Sequence, residues 1–379
     1  MSKCDLFSLA TPAVQALSPY QPGKPLDELK REYGISEAIK LASNENPLGP
    51  SKKAIEAIKN ELADLSRYPD GNAFNLKKAL AKKHNVAMEQ ITIGNGSNDI
   101  LEILTRAFVT PEHEVVFSQH AFAVYPIVTQ AVGAKAVVVP ARNWGHDLDA
   151  MQKAITDKTR VIFIANPNNP TGTWLTKNEL AEFISAVPET ALIVLDEAYF
   201  DFAYDDGKNQ NSLAEKEYPD GIAWLHTFPN LVVTRTFSKA YGLAGLRIGY
   251  SVSHPRVADV LNRVRQPFNV NSLALLAAEV VLDDQDYLQQ GIKLNASGMT
   301  QLVTAFNEMQ LDYIPSVGNF VCVKVGTNAM SVYDRLLYEG VIVRPVANYE
   351  MPEYLRVTVG TPDENERFID ALKKVLKQA

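Results

Sequence analysis

The sequence predicts an α/β protein: a mostly parallel sheet of seven strands flanked by helices, followed by a smaller α+β domain. Three observations lead there. Apolar, β-branched runs alternate with helical patterns between residues 91 and 252. Strands that are apolar along their whole length are covered on both faces, as in parallel sheets. After Pro267 the texture changes to long helical patterns and then short strands. The third observation is composition: 379 residues, 46% hydrophobic and 21% charged, supply core for roughly two to three domain-sized units.

Residues 1–47 are rich in Pro and Gly and read as an arm lying on other structure. Ser51 caps a helix whose Ile55, Ile58, Leu62 and Leu65 share one face, Tyr68–Gly71 is a turn, and a second helix spans Phe74–His84. Expected strands are 91–94, 114–118, 134–139, 160–165, 191–195, 231–236 and 246–252. Expected helices between them are Ser97–Val109, one between the strands at 118 and 134, and Thr176–Val187. Residues 201–221 form a polar stretch expected on the surface. The large domain is thus assigned to 48–265 and the small one to 266–379, with helices at 271–283, 286–309 and 362–377 and short strands at 319–324, 341–343 and 354–358.

Charge and cysteine content exclude several classes. A formal net charge of −7 does not suit a protein that grips the phosphate backbone of nucleic acid. Cys4 and Cys322 build neither a disulfide framework nor a zinc ribbon, and the six histidines show no metal-binding spacing. No apolar run is long enough for a bilayer, and polar residues interrupt Leu6–Leu17, so it does not read as a signal peptide. A cytoplasmic metabolic enzyme with no metal, nucleic-acid or membrane partner is the expectation.

Four motifs carry chemistry, each at the end of an expected strand. In Thr236-Phe-Ser-Lys-Ala-Tyr-Gly-Leu-Ala-Gly-Leu-Arg247, a lysine follows a buried strand among small residues. Burial depresses the pKa of Lys239 and suits it to act as a Schiff-base amine or proton shuttle, while Arg247 offers a planar fork to a phosphate. The same residues would also suit a solvated turn with Arg247 in a structural ion pair. Asn166–Gly172 lies where open α/β sheets place ligands, and Asn169 can donate to a ring oxygen, although a plain turn fits too. Asp196-Glu-Ala-Tyr199 offers a carboxylate for a protonated heterocyclic nitrogen, a helix cap or a metal. Gly94-Asn-Gly-Ser97-Asn98 opens a helix and welcomes an anion; Asp99 stands where a dinucleotide fingerprint needs glycine, so a small phosphate fits better.

One ligand answers all four motifs: a pyridine ring bearing a phosphate, a phenolic oxygen and an aldehyde. In order and spacing, over nearly the whole chain, these residues resemble fold-type-I pyridoxal phosphate enzymes of the aspartate aminotransferase superfamily. Within it, Leu17–Gly23, Leu41–Pro47, Arg67–Gly71 and Leu355–Gly360 look like the histidinol-phosphate aminotransferases.

The resemblance implies a role for each residue. Lys239 would bind the cofactor pyridoxal 5′-phosphate and, once freed, carry a proton from the substrate α-carbon to the cofactor. Asp196 would pair with the pyridine nitrogen, Tyr199 and Asn169 with the ring oxygen, and Phe122 would stack on the ring. Ser97, Asn98, Thr236, Ser238 and Arg247 would bind the phosphate, joined by Tyr68 from the other subunit of a homodimer with shared active sites. Arg356 would hold a substrate carboxylate, Arg344 a distal phosphate, with Tyr20 closing over the pocket and Asn46 lining it. The implied reaction exchanges an amino group between histidinol phosphate and 2-oxoglutarate. A broader aromatic aminotransferase on the same scaffold is the alternative.

Overall fold

A computed structural model of the chain describes residues 5–20, 23–35, 37–204 and 217–377. Cys4, Gln21, Pro22 and most of the polar stretch at 201–221 lie outside the described residues.

A short strand, β1 (Ile39–Lys40), precedes the main sheet. The main sheet has seven strands: β2 (Ile91–Gly94), β3 (Glu114–Ser118), β4 (Lys135–Val139), β5 (Thr159–Ala165), β6 (Leu192–Asp196), β7 (Leu231–Thr236) and β8 (Gly249–Ser253). Their spatial order is β2-β8-β7-β6-β5-β3-β4. Neighbours from β7 through β4 are parallel, whereas β8 runs antiparallel to both β7 and β2. All strands except β8 therefore point the same way, and their carboxyl ends at Gly94, Ser118, Ala165, Asp196 and Thr236 share one edge. Loops leaving that edge carry the four motifs assigned chemistry above.

β8 starts later than the sequence pattern suggests. Ala244–Leu246 is a 3₁₀ turn, and Arg247 has φ +60°. The apolar pattern at Leu246–Ile248 reports burial of a turn (Ile248 is fully buried) rather than extended backbone. Other sequence signals hold to within a residue or two. Ser51 Oγ accepts from Ala54 N–H, and Thr176–Glu179 and Thr361–Glu364 form capping boxes. Helices not anticipated from the sequence span Leu26–Tyr33, Leu148–Lys153, Pro255–Val264 and Ala329–Tyr338. The first lies in the stretch read as an arm and stops at Gly34 with φ +68°.

The apolar stripe running from Ile55 on helix Lys52–Glu61 to Leu65 beyond its end is mostly open. Ala54 is buried and Ile58 packs on the core, but Ile55, Leu62 and Leu65 are 37%, 49% and 53% exposed.

The smaller sheet contains β9 (Tyr313–Ile314), β10 (Phe320–Lys324), β12 (Arg344–Pro345) and β13 (Tyr354–Thr358), while β11 (Val341–Ile342) pairs in parallel with β1. Leu41 N–H donates to Ile342 O and Thr358 N–H to Leu41 O, stitching the end of the arm into this unit. Its core joins Leu355 and Val357 to Phe368, Leu372 and Val375 of the last helix. Helix Gln285–Glu308 serves both units: Leu288 and Ile292 belong to the core of the main sheet, and Met299, Leu302 and Phe306 to that of the small one. Among the described residues, no helix is long and apolar enough to cross a membrane.

Candidate active site

The loops at the carboxyl edge, the end of the arm and the small sheet enclose a cavity of about 200 Å³. Its lining includes Ser97, Asn98, Phe122, Asn169, Asp196, Tyr199, Thr236, Ser238, Lys239 and Arg247, together with Tyr20, Arg344 and Arg356.

Lys239 lies two residues beyond the buried Phe237 and donates from Nζ to the carbonyl of Ser43 at 3.1 Å. Burial, reinforced by the positive charge of Arg356, pushes its amine down to about 7. At neutral pH a large share of this lysine is therefore an unprotonated nucleophile. Asp196 ends β6 and is 4% exposed. Its carboxylate accepts from Tyr125 Oη at 2.9 Å and from Thr234 Oγ1 at 3.2 Å. Burial raises its pKa, opposed by those hydroxyls. A carboxylate kept dry yet hydrogen-bonded is poised to pair with a cation entering the cavity.

Glu197, the next residue, turns to the other face of the sheet and accepts from Arg235 at 2.6 Å and 2.9 Å. Asp196 and Thr234 thus meet in front of the sheet while Glu197 and Arg235 tie the same two strands behind it. Alternation along the strands places the two pairs on opposite faces.

An anion cradle lies at the opposite end. Ser97 is the first residue of helix Ser97–Phe108, preceded by Gly96 with φ +86°. A Cβ at Gly96 would stand 2.5 Å from Arg247 Nη2, so glycine alone lets the guanidinium approach this backbone. Arg247 is steadied by Ala244 O at 3.0 Å and by Ser238 Oγ at 3.4 Å. Helix N–H groups, two hydroxyl side chains and an arginine together form a phosphate-type site.

At the outer end, Arg344 and Arg356 are direct cross-strand partners in β12 and β13, and both are at least nine-tenths buried. Arg356 donates to Asn169 Oδ1 at 2.5 Å and to Ala42 O at 2.8 Å; its buried Nε has no partner among the described residues. Arg344 faces the ring of Tyr20 at 5.7 Å.

Two anticipated residues are not brought into this cavity. Asn46 instead donates to Ala240 O at 2.9 Å and to Tyr287 Oη at 3.1 Å, bracing the lysine loop from outside. Tyr68 is 82% exposed and stacks on Phe268 at 4.8 Å, remote from the cavity of its own chain. Sequence reasoning missed Tyr125, Thr234 and Ser43. It also missed Asn44, whose Nδ2 donates to Tyr199 Oη at 2.8 Å. Asn44 stands two residues before Asn46 in the same motif, which was the available signal.

A phosphorylated pyridine aldehyde fits this set on the chain's own features. Burial lowers the lysine amine to about 7, the buried acid faces the cavity, and the cradle is one that a Cβ would fill. Fold and site together define an aminotransferase of the aspartate aminotransferase fold. The aminotransferase class I and II family matches residues 36–372. Histidinol-phosphate aminotransferase 2 of Pseudomonas fluorescens is 60% identical over 99% of both chains, and histidinol-phosphate aminotransferase 1 of Idiomarina loihiensis is 57% identical over 99% of this chain and all of its own. A crystal structure of histidinol-phosphate aminotransferase from Sinorhizobium meliloti, in complex with pyridoxal-5′-phosphate, superposes with a TM-score of 0.88 at 30% identity over 99% of each chain. The chain belongs to the aminotransferase class I and II family and, within it, to the histidinol-phosphate aminotransferases.

Proposed function

We propose that this enzyme uses pyridoxal 5′-phosphate to transfer an amino group reversibly between L-histidinol phosphate and 2-oxoglutarate, a step of histidine biosynthesis. The carrying observation is the pair Arg344 and Arg356, directly opposed across two strands and buried at the mouth of the cavity that holds Lys239. Two buried guanidinium groups side by side in that register favour an anionic ligand at the mouth of the cavity. Alternate substrates bearing a carboxylate or a phosphate meet that need.

Bound in the cavity, the cofactor supplies an electron sink for charge that develops on the substrate α-carbon. Asp196, held by Tyr125 and Thr234, keeps a proton on the pyridine nitrogen. The Lys239 amine binds the aldehyde and, when free, takes and returns the α-proton; its position near neutral pH suits both directions. Tyr199 and Asn169 bind the ring oxygen, and Phe122 packs against the ring. Ser97, Asn98, Thr236, Ser238 and Arg247 hold the phosphate. Arg356 orients the carboxylate of glutamate, Arg344 the phosphate of histidinol phosphate, and Tyr20 excludes water over them.

The enzyme is read as a homodimer in which Tyr68 reaches the partner's cofactor phosphate. Supporting this reading, Tyr68, Phe268 and Phe74 are 82%, 47% and 54% exposed, alongside the open apolar face of helix Lys52–Glu61. The test of function mixes purified enzyme with imidazole-acetol phosphate and glutamate and measures 2-oxoglutarate. Product at a kcat/KM well above that for phenylalanine is the expected result. A preference for phenylalanine would instead favour a broad aromatic aminotransferase.

A further inference from the structure

Three successive residues after β1 each touch the site. The carbonyl of Ala42 accepts from Arg356 Nη2 at 2.8 Å, that of Ser43 from Lys239 Nζ at 3.1 Å, and that of Asn44 from Asn319 Nδ2 at 3.0 Å. The side chain of Asn44, 1% exposed, continues to Tyr199. Its φ of +54° is a conformation that asparagine tolerates well, which explains a small polar residue there. It does not explain an amide bonded at both ends.

The direction of each hydrogen bond in this chain follows from donor chemistry. Thr358 Oγ1 accepts from the Asn44 backbone N–H at 2.9 Å, which only donates. The Thr358 hydrogen then goes to Asn44 Oδ1 at 3.1 Å. With the oxygen end of the amide assigned, the NH₂ end faces Tyr199 Oη at 2.8 Å, and that group too only donates. The reverse orientation of the amide would leave the buried Thr358 hydroxyl with no acceptor for its hydrogen among the described residues. Tyr199 oxygen therefore accepts from Asn44, and its own hydrogen is left to point into the cavity that Tyr199 lines.

We propose that Asn44 is a positioning residue: by occupying the acceptor side of the Tyr199 hydroxyl, it commits the hydroxyl hydrogen to the phenolic oxygen of the cofactor. The inference rests on the assignment of Tyr199 to that oxygen. A donor aimed there stabilises the oxygen as an anion. Without it, the oxygen retains the neighbouring proton to higher pH.

The experiment is a visible absorbance titration of the cofactor-loaded resting enzyme, with melting temperatures recorded alongside. Asn44→Gly removes the amide while accepting the left-handed backbone, and Thr358→Val removes the hydroxyl that orients the amide. Both are expected to raise the pH midpoint of the visible band by about half to one unit, the scale of one hydrogen bond. Tyr199→Phe is expected to raise it further, and Asn44→Gly to add nothing in that background. A wild-type midpoint in Asn44→Gly with a shifted one in Tyr199→Phe overturns the role of Asn44 alone. So does an Asn44→Gly shift that adds in full to that of Tyr199→Phe. An unshifted Tyr199→Phe overturns the assignment of Tyr199 as well.

Discussion

Lys239 and Asp196 line the same cavity, and burial acts on them in opposite senses. It lowers the lysine to about 7 and raises the aspartate, so burial disfavours the charged form of both. One consequence is kinetic. Only the neutral amine attacks an aldehyde, so cofactor uptake by the cofactor-free protein should fall about tenfold per pH unit below 7 and level off above it. Stopped-flow absorbance across pH 5.5 to 8.5 checks this, and uptake independent of pH would contradict the lowered amine. Asp196→Ala removes the counter-charge to the ring nitrogen and should lower kcat by roughly 10²–10³-fold, measured at saturating substrate. Most of these residues were legible in the sequence because burial of Lys, Asp and Arg at strand ends is chemically conspicuous. Asn44, Tyr125 and Thr234 were not, because hydroxyls and amides are common core residues and their partners, Tyr199 and Asp196, are 155, 71 and 38 positions away.

Among elements, the strands were the most legible. β2, β3 and β7 span the residues their apolar runs indicated, since a strand covered on both faces has little sequence freedom. The exception, β8, is delayed by the turn that carries Arg247 with φ +60°. There, hydropathy cannot distinguish a buried turn from a buried strand. Helix Leu148–Lys153 is too short to show an apolar repeat, although Asp147 caps it, whereas Pro255–Val264 was legible, with Pro255 opening it and Val257, Val260, Leu261 and Val264 on one face. The loop-to-helix junction at Gly96 makes its own prediction. In Gly96→Ala the new Cβ meets Arg247 Nη2 at 2.5 Å on a backbone with φ +86°. Cofactor affinity should drop about tenfold, the equivalent of one displaced contact, in equilibrium titration of the cofactor-free protein. Retained affinity would mean that Arg247 does not need this approach.

Across the whole molecule, the sequence indicated two layers of organisation but not where one yields to the other. The amphipathic stripe of helix Lys52–Glu61 was legible as a pattern, yet a single sequence cannot say whether a stripe meets its own core or another chain. The exposed Leu62 and Leu65, with Tyr68 beyond them, bear on that choice. Leu65→Glu should shift a dimer toward monomer in sedimentation velocity and weaken cofactor retention in parallel. A variant that stays dimeric would place the subunit contact elsewhere.

The long helix Gln285–Glu308 reaches into both apolar cores, with Leu288 and Ile292 at one end and Leu302 and Phe306 at the other. Neither core can be lost without stripping one end of this shared axle, and β1 ties the arm to β11. Thermal unfolding of the chain should therefore register as one calorimetric endotherm rather than two, the two halves sharing a single cooperative fate.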